Sequence, residues 1–511
     1  MKTALGLQLE GGLATLTFDL PGKKVNVFTR EVLSELERQL QALATRRDID
    51  CLILVSGKHR NFVAGADIEE IAKVTDPEEA AEGARYGQRL FQAWADLPFP
   101  TIAAIQGTCL GGGTELALAS DFVLISDRAD IRIGLPEIKI GIMPVWGGCT
   151  RLPRRVGLMA ALDIILAGKA VSSTKAYRIG LADALLPDAD FGYQVRRLAT
   201  QIVAGQPPSK RTAGLKSALL EQNPLGRKIV LGQARKKVLD STGGHYPAPL
   251  RAIEVIETGL SKGIRAGLAA EARGAGELAI SRVCKNLIHV FHLLEDNKRQ
   301  AEEAETVSVQ SSAVIGAGVM GGGIAQLISL RADIPVRLKD LGPEPLANGM
   351  GHAAALFHKL IERRRLSKPE GERKMALIQP VTGYAGFNRV DLVVEAIVEN
   401  LDVKRKVFAE LAENSRKDTI LASNTSSLSV TDIGRDTPNP ERVVGMHFFN
   451  PVHKLPLVEV VRGASTTEQV VASVSAFARL LGKTPVVVKD GPGFLVNRLL
   501  VFYLTEALWL R

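Results

Sequence analysis

The chain has little with which to cross-link itself, cage a metal ion or stack on nucleobases. Its 511 residues contain four cysteines, Cys51, Cys109, Cys149 and Cys284, far apart and without a CxxC pair. That spacing argues against a disulfide framework and against a zinc site, so no metal is expected and a reducing cytoplasm suits the chain best. Aromatic residues make up only 5%, which gives no support to a base-stacking platform or a nucleic-acid partner. No segment is long and apolar enough to span a bilayer, and the opening MKTALGLQLEGG reaches Glu10 without the features of a secretory signal or an Arg-rich transit peptide. The net charge of +9 comes from scattered Lys and Arg, with short runs at Arg363 to Arg365 and Arg235 to Lys237, rather than from a basic tail. Such an excess suits small anionic ligands carrying phosphates and otherwise means a solvated face.

What is present is an α/β pattern. Leu13 to Leu20 alternates with period two, Glu31 to Leu43 sets Val32, Leu33, Leu36, Leu40 and Leu43 on one helical face, and Cys51 to Gly57 reads as a buried strand. From about Phe191 to Glu305 strand signals fade and helical stretches take over, ending in the polar run LLEDNKRQAEEAET, a connecting helix or linker. A second α/β unit starts at Val307. There SAVIGAGVMGGGIAQ combines a strand, a turn at Gly316, Gly318 and Gly321 enclosing Val319 and Met320, and a helix; the next strand, PVRLKD, ends at Asp340. Strand, glycine turn, helix and terminal acid in that order predict a dinucleotide site, with pyrophosphate at the helix N-terminus and the acid on the ribose 2′-hydroxyl. A carboxylate at 340 favours NAD over NADP.

Downstream, SNTSSL (Ser423 to Leu428), HFFNPVHKLPLVEV (His447 to Val460) and GFLVNR (Gly493 to Arg498) carry polar groups suited to oxidising an alcohol. A His held by a carboxylate makes a good base for the hydroxyl proton, and His447 with Glu459 is a candidate pair. Taken together with VVEAIVENLDVK, these motifs resemble L-3-hydroxyacyl-CoA dehydrogenase from about Val307 onward. The resemblance implies that His447 is the base and Glu459 its partner. It further implies that Ser426 and Asn497 hydrogen-bond the substrate oxygen and that Glu399 and Lys404 touch the nicotinamide cofactor.

The N-terminal part offers FVAGADI (Phe62 to Ile68), LGGGTELALASD (Leu110 to Asp121) and GLPEIKIGIMPVWGG (Gly134 to Gly148). Glycine and alanine turns let backbone N–H groups approach a thioester oxygen closely, and Gly112 lies at the start of a helix whose dipole favours an oxyanion. Glu115 and Glu137 are suited to supply a base for water and an acid for the α-carbon. Each has an ordinary reading too: an acid in a first helical turn complements the dipole, and an acid after Pro points into water. Together the stretches resemble the crotonase superfamily, specifically enoyl-CoA hydratase, over about Met1 to Asp188. That resemblance makes Ala66 and Gly112 the oxyanion donors and both glutamates catalytic, with Δ3–Δ2 isomerisation open to Glu137.

The two resemblances join in the layout of the bifunctional α subunits of bacterial fatty-acid oxidation complexes and of peroxisomal bifunctional enzymes. The layout implies acyl-CoA thioesters as substrates, NAD as cofactor and a thiolase β subunit as partner in a hetero-oligomer. The expected organisation is a crotonase-like spiral ββα domain over 1–188, a helical region and linker over 189–305, a Rossmann-type NAD-binding domain over 306–488, and the beginning of an all-α C-terminal domain over 489–511. The sequence departs from the pattern at Trp146 and Cys149, near the Glu137 loop, where Trp146 is expected to narrow the acyl pocket. It departs again at NRLLVFYLTEALWLR, which in that family only opens the C-terminal helices; most of that region is expected to lie outside this sequence. Two other readings stay open: a hydratase whose NAD-binding half turns over poorly, and an assembly subunit that holds a thiolase.

Overall fold

A computed structural model describes residues 3–209, 223–302 and 305–510. The chain divides into two compact units, Met1–His292 and Leu293–Arg511.

The first unit contains strands β1 (Leu5–Glu10), β2 (Leu13–Phe18), β3 (Cys51–Ser56), β4 (Asn61–Val63), β5 (Thr101–Ile105), β6 (Thr108–Leu110), β7 (Phe122–Ser126), β8 (Arg132–Gly134), β9 (Ala170–Ser172) and β10 (Ala184–Leu186). One sheet runs β1-β2-β3-β5-β7-β10 and the other β4-β6-β8-β9. From β3 to β8 the strands alternate between the two sheets, so each turn of chain adds one strand to each, the expected spiral. Burial explains the local choices: helix Arg30–Leu43 buries Val32, Leu33, Leu36, Leu40 and Leu43, and the Thr29 hydroxyl caps it by accepting from the Val32 amide at 3.3 Å.

The helical region that follows packs onto the first unit. Helix Phe191–Val203 puts Val195, Ala199 and Ile202 against Ile53, Ile102 and Leu124 of the first sheet. Helices Pro224–Thr242, Pro247–Lys262 and Ile264–Ala279 place Leu231, Ile253, Ile256 and Leu278 in the main core. The compact unit therefore continues to His292, because the apolar faces of these helices are buried in its cores. Of the polar run read as a linker, helix Arg282–Glu302 is described, while positions 303 and 304 lie outside the described residues.

The second unit has strands β11 (Ser312–Ile315), β12 (Val336–Lys339), β13 (Ile378–Val381), β14 (Leu392–Glu395), β15 (Ile420–Ser423), β16 (Val443–Phe448), β17 (Leu457–Arg462) and β18 (Thr484–Lys489), in the order β13-β12-β11-β14-β15-β16-β17-β18. All neighbours are parallel except β16 and β17. The chain builds outward from β11 to one side, then returns to β14 and builds to the other. That reversal is the place where open α/β sheets bind ligands, and the glycine turn after β11 sits there. Among the described residues no helix is long and apolar enough to cross a membrane.

Candidate functional site

A cavity of about 810 Å³ opens in the first unit, lined by Ala66, Gly112, Glu115, Glu137 and Trp146 among others. Two loops meet at its floor. Gly65 has φ +111° and Gly111 φ +55°, and a Cβ on Gly65 would lie 3.6 Å from the Gly112 nitrogen. Only glycine holds these turns so close without strain. The carbonyl of Gly65 and the amide of Asp67 both bond to Phe28, at 2.9 and 3.1 Å, which leaves the Ala66 amide between them without a backbone acceptor. Gly112 opens helix Gly112–Ala119 without a side-chain cap, so its N–H is one of the orphan donors of a helix start. Both residues line the cavity, so two amides without a backbone acceptor border it near a positive helix end, groups suited to an oxyanion.

Glu115 sits in that helix, every residue of which is buried, and so cannot be a solvent-facing dipole complement. Its Oε1 accepts from the amides of Trp146 and Gly148 at 2.7 and 2.8 Å. Burial pushes its pKa up to about 7 against the pull of those two amides and the Arg151 charge. Glu137 stands at the start of the 3₁₀ turn Glu137–Ile140. Its Oε1 approaches Gly111, where an added Cβ would come within 3.1 Å, and its buried Oε2 has no hydrogen-bond partner. Burial first, and the Glu115 charge second, hold its carboxyl well above the usual carboxylate range. Burial raises both carboxyls, but only Glu115 has two amides and the Arg151 charge to oppose it, whereas the Glu115 charge drives Glu137 further up; groups whose surroundings separate them in this way can work as base and acid.

Trp146 is a wall of the same cavity. Its ring meets Phe91 and Phe28 edge-on at centroid distances of 5.4 and 5.8 Å, and a Cβ on Gly112 would come within 2.7 Å of it. Cys149 is fully buried, and burial beside Glu271, Glu115 and Glu137 holds its thiol well above the ordinary value, which leaves it inert.

In the second unit the glycine turn has the geometry of a dinucleotide cradle. Gly316 has φ +96°, and a Cβ on Gly321 would lie 1.7 Å from the Gly316 carbonyl oxygen, so helix Val319–Arg331 packs on β11 only with glycine there. Gly318 caps the helix with no side chain, nothing stands within 4 Å of where its Cβ would be, and Val319 is exposed. Met320 packs against the core below. Asp340 accepts from the Ala317 amide at 2.6 Å and the Leu341 amide at 2.7 Å, tying the end of β12 to the turn and keeping lone pairs for a ribose hydroxyl. Open helix amides, an unfilled glycine surface and a fixed acid fit NAD.

His447 and Glu459 are directly paired across antiparallel β16 and β17. The Nδ1 atom of His447 lies 2.7 Å from Glu459 Oε2, and Glu459 Oε1 accepts from the Leu495 and Val496 amides at 3.1 and 2.9 Å. Burial alone would raise the Glu459 pKa, but the His447 bond and the two amides bring it below the ordinary value. Val496 begins helix Val496–Trp509, so the pair also fixes Asn497, whose amide donates to the Ser426 carbonyl at 3.0 Å. Glu399 accepts from the Thr425 hydroxyl at 2.6 Å and the Ser426 amide at 2.8 Å. His447, Glu459, Asn497, Ser426 and Glu399 are therefore joined. Lys404 is 1% exposed, with its ammonium 2.6 Å from Glu395 and 3.3 Å from Glu399. Its ammonium is held between these two carboxylates, because a buried ammonium needs carboxylate partners.

Two family models match the chain, enoyl-CoA hydratase/isomerase over residues 8–245 and the NAD-binding domain of 3-hydroxyacyl-CoA dehydrogenase over 311–491. The fatty acid oxidation complex subunit alpha of Vibrio vulnificus is 41% identical over 98% of this chain and 70% of its own. That of Shewanella amazonensis is 39% identical over the same shares. The chain belongs to the fatty acid oxidation complex subunit alpha family. Among solved structures, 3-hydroxybutyryl-CoA dehydrogenase from Escherichia coli K12 is 40% identical over 39% of this chain and 42% of its own, with a TM-score of 0.38.

Three functional neighbours escaped the sequence. Glu271 and Glu395 are both fully buried carboxylates, and Asn424 accepts from the Phe448 amide at 2.8 Å beside His447. A signal for Glu271 exists: it shares a helix face with Gly267, Gly274, Ala275 and Leu278, all buried, so a lone acid interrupts a small-residue stripe at helical spacing. Glu395 ends the fully buried strand β14, where a parallel strand delivers functional side chains.

Proposed function

We propose that the first unit of this fatty acid oxidation α subunit hydrates trans-2-enoyl-CoA to (S)-3-hydroxyacyl-CoA and that the second oxidises the product to 3-ketoacyl-CoA with NAD. The observation that carries the reading is that Glu115, Glu137 and the amides of Ala66 and Gly112 line one cavity. Those amides hold the thioester oxygen as negative charge gathers on it. Glu115, whose anion two amides stabilise, takes a proton from water while the hydroxyl bonds to C3; Glu137, which keeps its proton, delivers it to C2. Atoms and charge then balance with both carboxyls restored by proton exchange. In its ionised form the carboxyl of Glu137 supports Δ3–Δ2 isomerisation, taking a proton from C2 and returning it to C4.

When bound, NAD supplies the hydride acceptor. The glycine turn and Asp340 would hold its pyrophosphate and ribose, and Glu399 its nicotinamide end. His447 takes the hydroxyl proton, Glu459 orients the ring and stabilises its cation, and Ser426 and Asn497 orient the substrate oxygen. With that constellation assembled, a hydratase with a silent NAD-binding half has less support than the bifunctional enzyme.

The family also supports a thiolase β subunit as partner and a cytoplasmic location. The direct test is spectrophotometric: crotonyl-CoA is followed first for loss of enoyl thioester absorbance without NAD, then for NADH after NAD is added. Both signals are expected; absence of the first refutes the glutamate-pair assignment, and absence of the second refutes the oxidative half.

A further inference from the structure

The turn Val145 to Gly148 is bonded at every residue. Gln88 donates to the Val145 carbonyl at 2.7 Å and to the Leu268 carbonyl at 3.0 Å. The amides of Trp146 and Gly148 go to Glu115, and the amide between them, that of Gly147, goes to Glu271 Oε2 at 2.7 Å. The other Glu271 oxygen accepts from the Thr150 hydroxyl at 2.6 Å. Glu271 and Glu115 thus grip one turn from opposite sides, taking successive amides in alternation. Gly147 has φ +116°, so the turn depends on a glycine conformation that amide bonding must hold against its freedom. Helix Ile264–Ala279 is seated tightly there, since a Cβ on Gly267 would lie 2.7 Å from the Thr150 hydroxyl.

We infer that Glu271 is a positioning residue for hydration, supplied by a helix beyond the residues that match the hydratase model, which holds the Trp146 to Gly148 amides in place on Glu115. It touches neither substrate nor reacting atoms. A fully buried carboxylate is unfavourable unless its bonds have a use. The stability of the core does not require an acid on an otherwise Ala- and Gly-rich face, whereas the geometry of Glu115 does. Burial, then the Glu115 charge, raises the Glu271 pKa to about 8 against its two hydrogen bonds and Arg151. The ionisable groups around it are Glu115, Arg151, Glu137 and Cys149.

The inference rests on Glu115 acting in hydration, so the test includes Glu115→Gln. The full chain carries Glu271→Asp, which withdraws the acceptor by about one C–C bond, ~1.5 Å, beyond hydrogen-bond reach of Gly147 and Thr150, or Glu271→Gln, which keeps an acceptor for Gly147. Crotonyl-CoA hydration is measured across pH, with 3-hydroxybutyryl-CoA oxidation on the same samples as the folding control. Glu271→Asp is expected to lower the hydratase kcat by about 10- to 100-fold, the usual effect of losing an orienting partner, with KM and oxidation unchanged. The acidic limb of the profile should move up, since Glu115 loses amides that favour its anion. Glu271→Gln should recover most of the loss. An unaltered kcat and limb in Glu271→Asp overturns the inference, as does a loss shared equally by KM and oxidation with the limb unmoved. Should Glu271→Asp fail to fold, Thr150→Val carries the test, with a smaller kcat loss and the same direction of limb expected and an unchanged profile overturning it. If Glu115→Gln hydrates normally, the assignment of Glu115 itself fails, a result distinct from these.

Discussion

Replacing Glu137 by Gln tests the hydration chemistry with little collateral change. The buried Oε2 has no hydrogen-bond partner, and the carboxyl is held protonated, so an amide of the same shape leaves no group newly orphaned. The fold should keep its stability to within about 1 kcal/mol. What the variant lacks is a transferable proton for C2. General acid catalysis contributes about 10²- to 10⁴-fold, which at 1.36 kcal/mol per decade is about 2.7–5.4 kcal/mol of barrier. Crotonyl-CoA hydration should fall by that factor in kcat, while oxidation of supplied 3-hydroxybutyryl-CoA by the same preparation stays at the wild-type rate. A loss below tenfold would show that Glu137 is not the acid, and an equal loss of both activities would refute two separate sites.

The unmodified enzyme should show a bell-shaped hydration profile: kcat/KM rises through about 7 as Glu115 ionises and falls at higher pH as Glu137 loses its proton, a limb that Glu137→Gln should abolish. His447→Gln should reverse the pattern, cutting NADH formation about 10²- to 10⁴-fold with hydration intact; normal NADH production would exclude His447 as the base. Asp340→Ala removes an acceptor worth about 1.5–3 kcal/mol when charged, so the KM for NAD should rise about 10- to 150-fold in steady-state assays, with hydration unaltered. Gly321→Ala drives a methyl to within 1.7 Å of the Gly316 carbonyl and should abolish NAD binding by fluorescence titration while hydration persists; ordinary binding would contradict the packing of that helix.

The periodic elements were legible because burial wrote them. The face of helix Arg30–Leu43 could be read residue by residue, and the turn from Gly316 to Gly321 carries its geometry in its glycines. The catalytic pairings were harder. Twelve residues separate His447 from Glu459, and only the register of β16 and β17 opposes them; a slip of one residue would send the two to opposite faces. Glu115 read alone as a dipole complement, and its role depends on a turn thirty residues downstream that brings amides to it. The burial of Glu271 and Lys404 was hard to read for one reason: whether a charged side chain is buried depends on what packs over it, and that contact is tertiary; for Glu271 the small-residue stripe around it is the one signal the sequence carries.

The carboxylates proposed as catalytic in the two units share one construction and titrate in opposite directions. Glu115 and Glu459 each give a single oxygen to a pair of backbone amides, from Trp146 and Gly148 in one case and Leu495 and Val496 in the other. Anchoring one oxygen leaves the other to the chemistry. For Glu459 that second oxygen meets His447 at 2.7 Å, and the imidazole bond with the amides outweighs burial, so the group stays ionised as an orienting anion. Glu115 has no such partner, and Arg151 acts on it only through space; burial prevails and its pKa rises to the range where a base for water works best at neutral pH. An orienting anion needs a low pKa and a proton acceptor a matched one, and the balance between burial and the partners of each carboxylate, the His447 ring nitrogen among them, sets which of the two each glutamate suits.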